Sequence, residues 1–176
     1  RQMCIRDRNE ALVNNTTGSY STAVGACALK TNTTSSYNDA FGMGALCANN
    51  GGRQNVATGN VAMRLNTTGC RNTASGHYSM GRNTTGCLNV SIGYIALCAN
   101  TTGSNNIAIG NTAGAANTTG SNQTWIGNSS TTNTTIYGCV SASEFHGDGS
   151  NLTGISGGGS LCGTTLTSGL KTTALG

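Results

Sequence analysis

The sequence contains no proline, and only 8% of its residues are charged and 5% aromatic. Ordinary globular domains carry about 25% charged residues, and disordered chains are usually rich in both charge and proline. Neither class fits. With two phenylalanines, one tryptophan and few leucines or isoleucines, a large globular core is excluded. Any core must be thin and lined by small side chains. No run approaches the roughly 18 apolar residues that a membrane helix needs, so no direct membrane insertion is expected in this segment. The net charge of +4 forms no basic stripe, which argues against a nucleic-acid partner. Half of it comes from Arg1, Arg6, Asp7 and Arg8. The stretch RQMCIRDR (1–8) is similar to a translated sequencing-adapter remnant and is set aside as a non-native leader, with 9–14 as a lead-in.

What the chain has instead is small polar residues in a fixed period. Glycine recurs every 17 residues at Gly25, Gly42, Gly59, Gly76, Gly93, Gly110 and Gly127. Asparagine keeps the same step at Asn15, Asn32, Asn49, Asn66, Asn83, Asn100 and Asn117. Seven units without insertion or deletion therefore fill 15–133, with the pattern N-T-T-G-S-x-N-x-A-[IV]-G-x-x-A-L-x-x. Asn-Thr-Thr-Gly is turn chemistry, because Asn and Gly tolerate positive φ and Asn and Thr side chains can satisfy nearby backbone groups.

The next stretch alternates with the period of a strand. Thr22, Asp39, Val56, Thr73, Val90, Ile107 and Thr124 share one column; Val24, Phe41, Thr58, Ser75, Ile92, Ile109 and Ile126 share a second on the same strand face. Between them run Ala23, Ala40, Ala57, Ala74, Ser91, Ala108 and Trp125. The glycine then turns the chain where a Cβ would clash. A second segment follows, centred on Ala28, Ala45, Ala62, Ser79, Ala96 and Ala113, backed by Leu29, Leu46, Met63, Met80 and Leu97. A helical repeat would tolerate this glycine content poorly, at about 1 kcal/mol per Gly relative to Ala. Each unit is too small to bury its own apolar face, so the coils must stack. At about 4.8 Å per coil, seven give a rod of roughly 34 Å. The expected fold is all-β, a parallel β-solenoid or β-roll of seven 17-residue coils.

The run N-x-x-A-[IV]-G-x-x-A resembles the head repeats of trimeric autotransporter adhesins (YadA-like heads), over 15–133. That resemblance implies a left-handed roll and a homotrimer. The longer N-T-T-G-S-N-N turn resembles tail-fibre and surface proteins of marine phages and bacteria. A second stretch, SASEFHGDGSNLTGI (141–155), is similar to a segment that follows the shaft in phage fibre proteins, matched at Phe145, Gly147, Asp148, Gly149, Ser150, Leu152, Thr153 and Gly154. There it precedes a trimerisation or chaperone domain, so a longer parent chain is expected. Residues 134–155 read as a fibre-type connector and 156–176 as a Gly/Ser-rich linker and truncated tail.

The implied function is adhesion or receptor binding, extracellular, on a bacterial cell surface or a virion tail. The partners would be two further copies of the chain and a host-cell receptor or glycan. The alanine stripe Ala23, Ala40, Ala57, Ala74 and Ala108 suits either a threefold interface or a narrow coil interior. Trp125 breaks it in the last unit and is expected to cap the stack. Exposed variable positions after the turns (Tyr20, Tyr37, Arg53, Gln54, Arg71 and Leu88) form either a binding face or tolerated variation.

Chemistry of other kinds finds little footing. Eight cysteines occur without a C-x-x-C pair, so no zinc site is expected. Cys70 and Cys87 share a column in adjacent coils, within reach of a disulfide, or else they stand in for Ser or Ala. Cys47 and Cys98 share a column three coils apart, roughly 14 Å, too far to bond. Glu144, His146 and Asp148 alternate in the connector and could share one strand face as a metal or acid–base cluster, but the fibre segment leaves the first two positions variable and Asp148 sits between glycines as a turn residue would. His77 sits at a variable surface position. Gly154-Ile155-Ser156-Gly157-Gly158 matches a nucleophile elbow in letters only, since a glycine run follows and no histidine lies downstream. No enzyme, cofactor or metal is expected. The sequons at Asn15, Asn32, Asn66, Asn83, Asn100 and Asn117 read as incidental to the turn. An ice-binding solenoid or a passive spacer is the alternative function, although adjacent threonines such as Thr84 and Thr85 would point to opposite faces.

Overall fold

A computed structural model describes residues 5–7, 9–131 and 134–137. The chain divides into two units, Arg1–Thr134 and Thr135–Gly176. In the second, the described residues Thr135, Ile136 and Tyr137 are exposed. Cys139, Trp-free connector residues 138–155 with the Glu144, His146 and Asp148 series, and the linker lie outside the described residues.

The first unit is an all-β solenoid with no helix among the described residues. Its strands are β1 (Ile5–Asp7), β2 (Thr22–Val24), β3 (Asp39–Phe41), β4 (Val56–Thr58), β5 (Thr73–Ser75), β6 (Val90–Ile92), β7 (Ile107–Ile109) and β8 (Thr124–Ile126). They form one sheet in chain order. Every neighbour is parallel and offset by 17 residues, as in Ala23↔Ala40 and Ala40↔Ala57. From β2 to β8 the chain completes about six turns. The ladder also extends upstream of Asn15: Ala11 and Leu12 are buried in register with Ala28 and Leu29, and β1 places Arg6 opposite Ala23. The seventh unit supplies β8 but no inward Ala-Leu pair, since Ser130 and Thr131 occupy those positions and are exposed.

Strand alternation resolves the two readings of the alanine stripe. Ala23, Ala40, Ala57, Ala74 and Ala108 are fully buried within the single chain, so they line the coil interior and are not an interface. The flanking columns face outward and leave Phe41, Val56, Ile92, Ile107, Ile109 and Ile126 exposed. The inversion has a steric cause. Ala28 and Leu29 share the same narrow interior, fully buried, and the strand column between Ala23 and Ala108 is left with room only for Ala or Ser.

Leu29, Leu46, Met63, Met80 and Leu97 adopt φ of +49°, +50°, +49°, +50° and +46°. A left-handed L-residue costs about 1–2 kcal/mol, and burying a Leu or Met side chain contributes about 1.5–3 kcal/mol. Burial therefore wins, and leucine holds a conformation that its intrinsic preference disfavours. The repeat glycines meet a stricter demand. Gly25, Gly42, Gly59, Gly76 and Gly93 have φ between +125° and +137°, and a Cβ on each would lie 2.6–2.7 Å from the carbonyl carbon of the glycine one coil on.

Candidate functional site

Two buried asparagine ladders hold the turn edge together. In the first, Asn49 Nδ2 donates to Asn32 Oδ1 at 3.1 Å and to Gly52 O at 2.9 Å, and Asn66 repeats the pair toward Asn49 Oδ1 and Gly69 O, both at 2.9 Å. The same scheme joins Asn83 to Asn66, Asn100 to Asn83 and Asn117 to Asn100. These asparagines are not the positive-φ residues that the turn reading expects. Positive φ falls instead on Tyr20, Tyr37, Gln54, Arg71, Leu88, Asn105 and Asn122, because the ladder fixes the asparagine side chain inward and the chain reverses five residues later. Asn32, Asn66, Asn83 and Asn100 have no exposed surface, so their sequons are closed in the folded chain.

The second ladder was hidden in the sequence by its ordinary appearance. Asn38, Asn55, Asn72, Asn89 and Asn106 are buried or nearly so. Each later member donates its backbone N–H to the preceding Oδ1, as in Asn55 N→Asn38 and Asn89 N→Asn72, at 3.1 and 3.0 Å. Asparagine at a strict 17-residue step beside the strand was the available signal.

A third column runs along the outer edge at Ser19, Ser36, Arg53, Cys70, Cys87, Ser104 and Ser121. Ser19 N–H donates to Ser36 Oγ at 3.0 Å, Cys87 N–H to Ser104 Oγ at 3.0 Å, and Ser104 N–H to Ser121 Oγ at 2.9 Å. Cys70 and Cys87 continue the column as thiols. Cys70 N–H donates to Cys87 Sγ at 3.0 Å and the sulfurs stand 2.9 Å apart. Cysteine here replaces serine in its hydrogen-bonding role. The hydrogen bond with Cys87, then burial, raises the Cys70 pKa, while the Arg71 and Arg53 guanidinia oppose the rise.

Arg53 interrupts the column. Arginine has no acceptor, so it cannot take the Ser36 N–H as a serine would. The third turn departs again at Asn50 and Gly51, where the other coils carry Thr-Thr. A depression of about 390 Å³ opens there, lined by Thr34, Ser35, Ser36, Tyr37, Gly51 and Arg53. Beside it the rings of Tyr20 and Tyr37 stack at 4.7 Å and 6°. Arg71 Nε donates to Gln54 Oε1 at 3.1 Å. Leu88, also exposed, lies two coils away from Gln54 in the same column and does not line the depression.

A second aromatic pair, His77 and Tyr94, stacks at 5.4 Å. At the end of the solenoid Trp125 is partly buried against the core. It fills room left by Gly114, where a Cβ would lie 2.8 Å from the indole. The first threonine of five turns (Thr16, Thr33, Thr67, Thr84 and Thr101) bonds to the next coil, for example Thr84 Oγ1 to Thr101 O at 2.9 Å and Thr101 Oγ1 to Thr118 O at 2.9 Å, which ties up hydroxyls that a water-ordering array would need. Among the described residues no three His, Cys, Asp or Glu side chains converge as metal ligands, and no helix is long and apolar enough to cross a membrane.

The fold and its ladders define a parallel β-solenoid repeat protein. No protein-family model, curated protein or solved structure matches the chain.

Proposed function

We propose that this chain is a structural module of an extracellular fibre, a bacterial surface adhesin or phage tail fibre that binds a host-cell receptor. On this reading the module has no catalytic role. One observation carries it: the inward columns stay nearly constant, whereas the exposed column after the turn changes from coil to coil, as Tyr20, Tyr37, Gln54, Arg71, Leu88, Asn105 and Asn122. A rigid frame with a variable rim is suited to display, and weak contacts on several copies gain strength by avidity.

The fibre assembles as a homotrimer of left-handed rolls, following the resemblance to autotransporter heads. Its contact surface is the outward sheet face bearing Val56, Ile92, Ile107, Ile109 and Ile126, since large exposed apolar patches mark interaction sites. Light scattering on residues 9–176 tests the assembly. A mass near three times that of the chain, reduced to one by Ile107→Lys with Ile109→Lys, is the expected result. A monomer that fails to attach to any host-cell surface would overturn the reading.

A further inference from the structure

We propose that the depression at the third turn binds a carboxylate-bearing sugar. The inference rests on the receptor-binding reading and names the chemistry of the receptor. Three departures from the repeat coincide there. Asn50 and Gly51 replace the Thr-Thr pair and remove a side chain from the rim. Arg53 replaces a serine-type residue, adding a cation and leaving Ser36 N–H without its ladder acceptor. Tyr37 presents a ring 54% exposed, stiffened by stacking on Tyr20, which is 49% exposed.

Together these supply the parts that an acidic sugar needs. The electron-rich face of Tyr37 packs against the C–H face of a pyranose. The Arg53 guanidinium takes a carboxylate through parallel N–H···O bonds, and among the described residues no carboxylate pairs with it. Thr34 and Ser36 line the same depression and can offer their hydroxyls and the Ser36 N–H to hydroxyl or carboxylate oxygens, whereas the buried Ser35 hydroxyl is committed to Asn50 O at 2.8 Å. A shallow site with few fixed polar groups and one rigid ring matches a saccharide better than an extended peptide, which would need a backbone edge to pair with.

Two substitutions restore the repeat and so spare the fold. Arg53→Ser returns the column to its usual residue. Gly51→Thr refills the rim with the residue found in the other turns, where its Cβ would lie 3.0 Å from the Thr68 methyl and a small side-chain shift suffices. Calorimetric titration of the full chain uses methyl glucuronide and sialyllactose, each against its neutral counterpart, methyl glucoside and lactose. The expected result is a Kd of about 1 mM or tighter for the acidic sugars. The neutral sugars, and both variants, should bind at least about tenfold more weakly. Equal binding of neutral sugars, of triglutamate, or of acidic sugars to either variant would overturn the proposal, as would no binding of any probe. Acidic-sugar binding without attachment to cells would refute the fibre reading alone. Cell attachment unchanged in Arg53→Ser and Gly51→Thr, with no sugar bound, would refute this site alone.

Discussion

Replacing Asn72 with alanine should lower stability by about 3 kcal/mol, because of how its side chain is shared. Asn72 lies in the fourth of the seven units and bonds to coils on both sides. Its Nδ2 donates to Asn55 Oδ1 at 3.2 Å and to Gly86 O at 2.8 Å. Its Oδ1 accepts the Asn89 N–H at 3.0 Å and Asn89 Nδ2 at 3.1 Å. Three of the four partners keep another bond: Asn55 Oδ1 retains Asn72 N, Gly86 O retains Asn83 Nδ2, and Asn89 Nδ2 retains Gly103 O. The Asn89 backbone N–H loses its acceptor inside the coil. An unsatisfied buried donor costs about 1–3 kcal/mol, and the vacated carboxamide volume adds a cavity term.

Because stability in a solenoid is close to a sum over neighbouring repeats, the damage should concentrate on the two junctions that Asn72 joins. Urea titration followed by far-ultraviolet circular dichroism measures the total. Native-state hydrogen exchange should show protection falling first around residues 86–89. Asn72→Asp gains nothing over alanine, since its second oxygen would face the acceptors Asn55 Oδ1 and Gly86 O. Asn60→Ala is the control; Asn60 is exposed and Ala26 already occupies its column, so a change within about 0.5 kcal/mol is expected. If Asn72→Ala proves no more costly than Asn60→Ala, the ladder argument is wrong.

Gly59→Ala should cost about 3 kcal/mol or more, since φ is +132° and the new Cβ would lie 2.7 Å from the Gly76 carbonyl carbon; a melting temperature unchanged in calorimetry would refute the backbone-contact reading. Trp125→Ala should cost about 2 kcal/mol, less than a fully buried tryptophan because the ring is only partly covered, and an unchanged melting temperature would dismiss the cap. Cys70 and Cys87 should form a disulfide with oxidised glutathione: one thiolate displaces a glutathione thiolate, and the second sulfur then displaces the other. Peptide mapping should find the pair short of two hydrogens, faster at alkaline pH because the Cys70 pKa is raised; stable glutathione adducts on both residues would contradict the 2.9 Å approach.

The period, the strand columns and the glycine turn were all legible in the sequence, since each follows from spacing and from what a Cβ forbids. Which strand face lies inside was not. Period two fixes alternation but not polarity, and here the outward columns carry Val, Phe and Ile while the inward one carries Ala. Hydrophobicity points the wrong way because the buried Leu and Met column already fills the interior and leaves the strand column room only for small side chains. The positive-φ sites were equally hidden, for Leu46 and Tyr37 hold them where Asn or Gly would be expected. Tertiary burial and the hydrogen-bond ladder override the local preference. At the candidate site, the variable residues could be named from sequence, but the depression required knowing that Gly51 and Arg53 reach the same rim as Tyr37.

Departures from the repeat fall into two kinds, and the difference separates stability from function. Inside the coil they are matched. Ser79 and Ser91 interrupt two different alanine columns, yet their hydroxyls meet at 2.7 Å and each also has a backbone acceptor, Ser91 O for Ser79 and Ala96 O for Ser91. Gly114 gives up the leucine position just where Trp125 needs the room. A thin core tolerates a change only if another change answers it, because a buried hydroxyl without a partner or a ring without space costs more than one coil can offset. Asn50 is answered too, its Oδ1 accepting the Thr33 hydroxyl at 2.7 Å and its carbonyl the Ser35 hydroxyl at 2.8 Å, but the departures at Gly51 and Arg53 have no such answer within the fold. They remove a side chain without filling the gap and break a serine-type column without replacing its acceptor. Their effect is to place a donor, a cation and a ring together at one rim, the parts that the proposed sugar site would use.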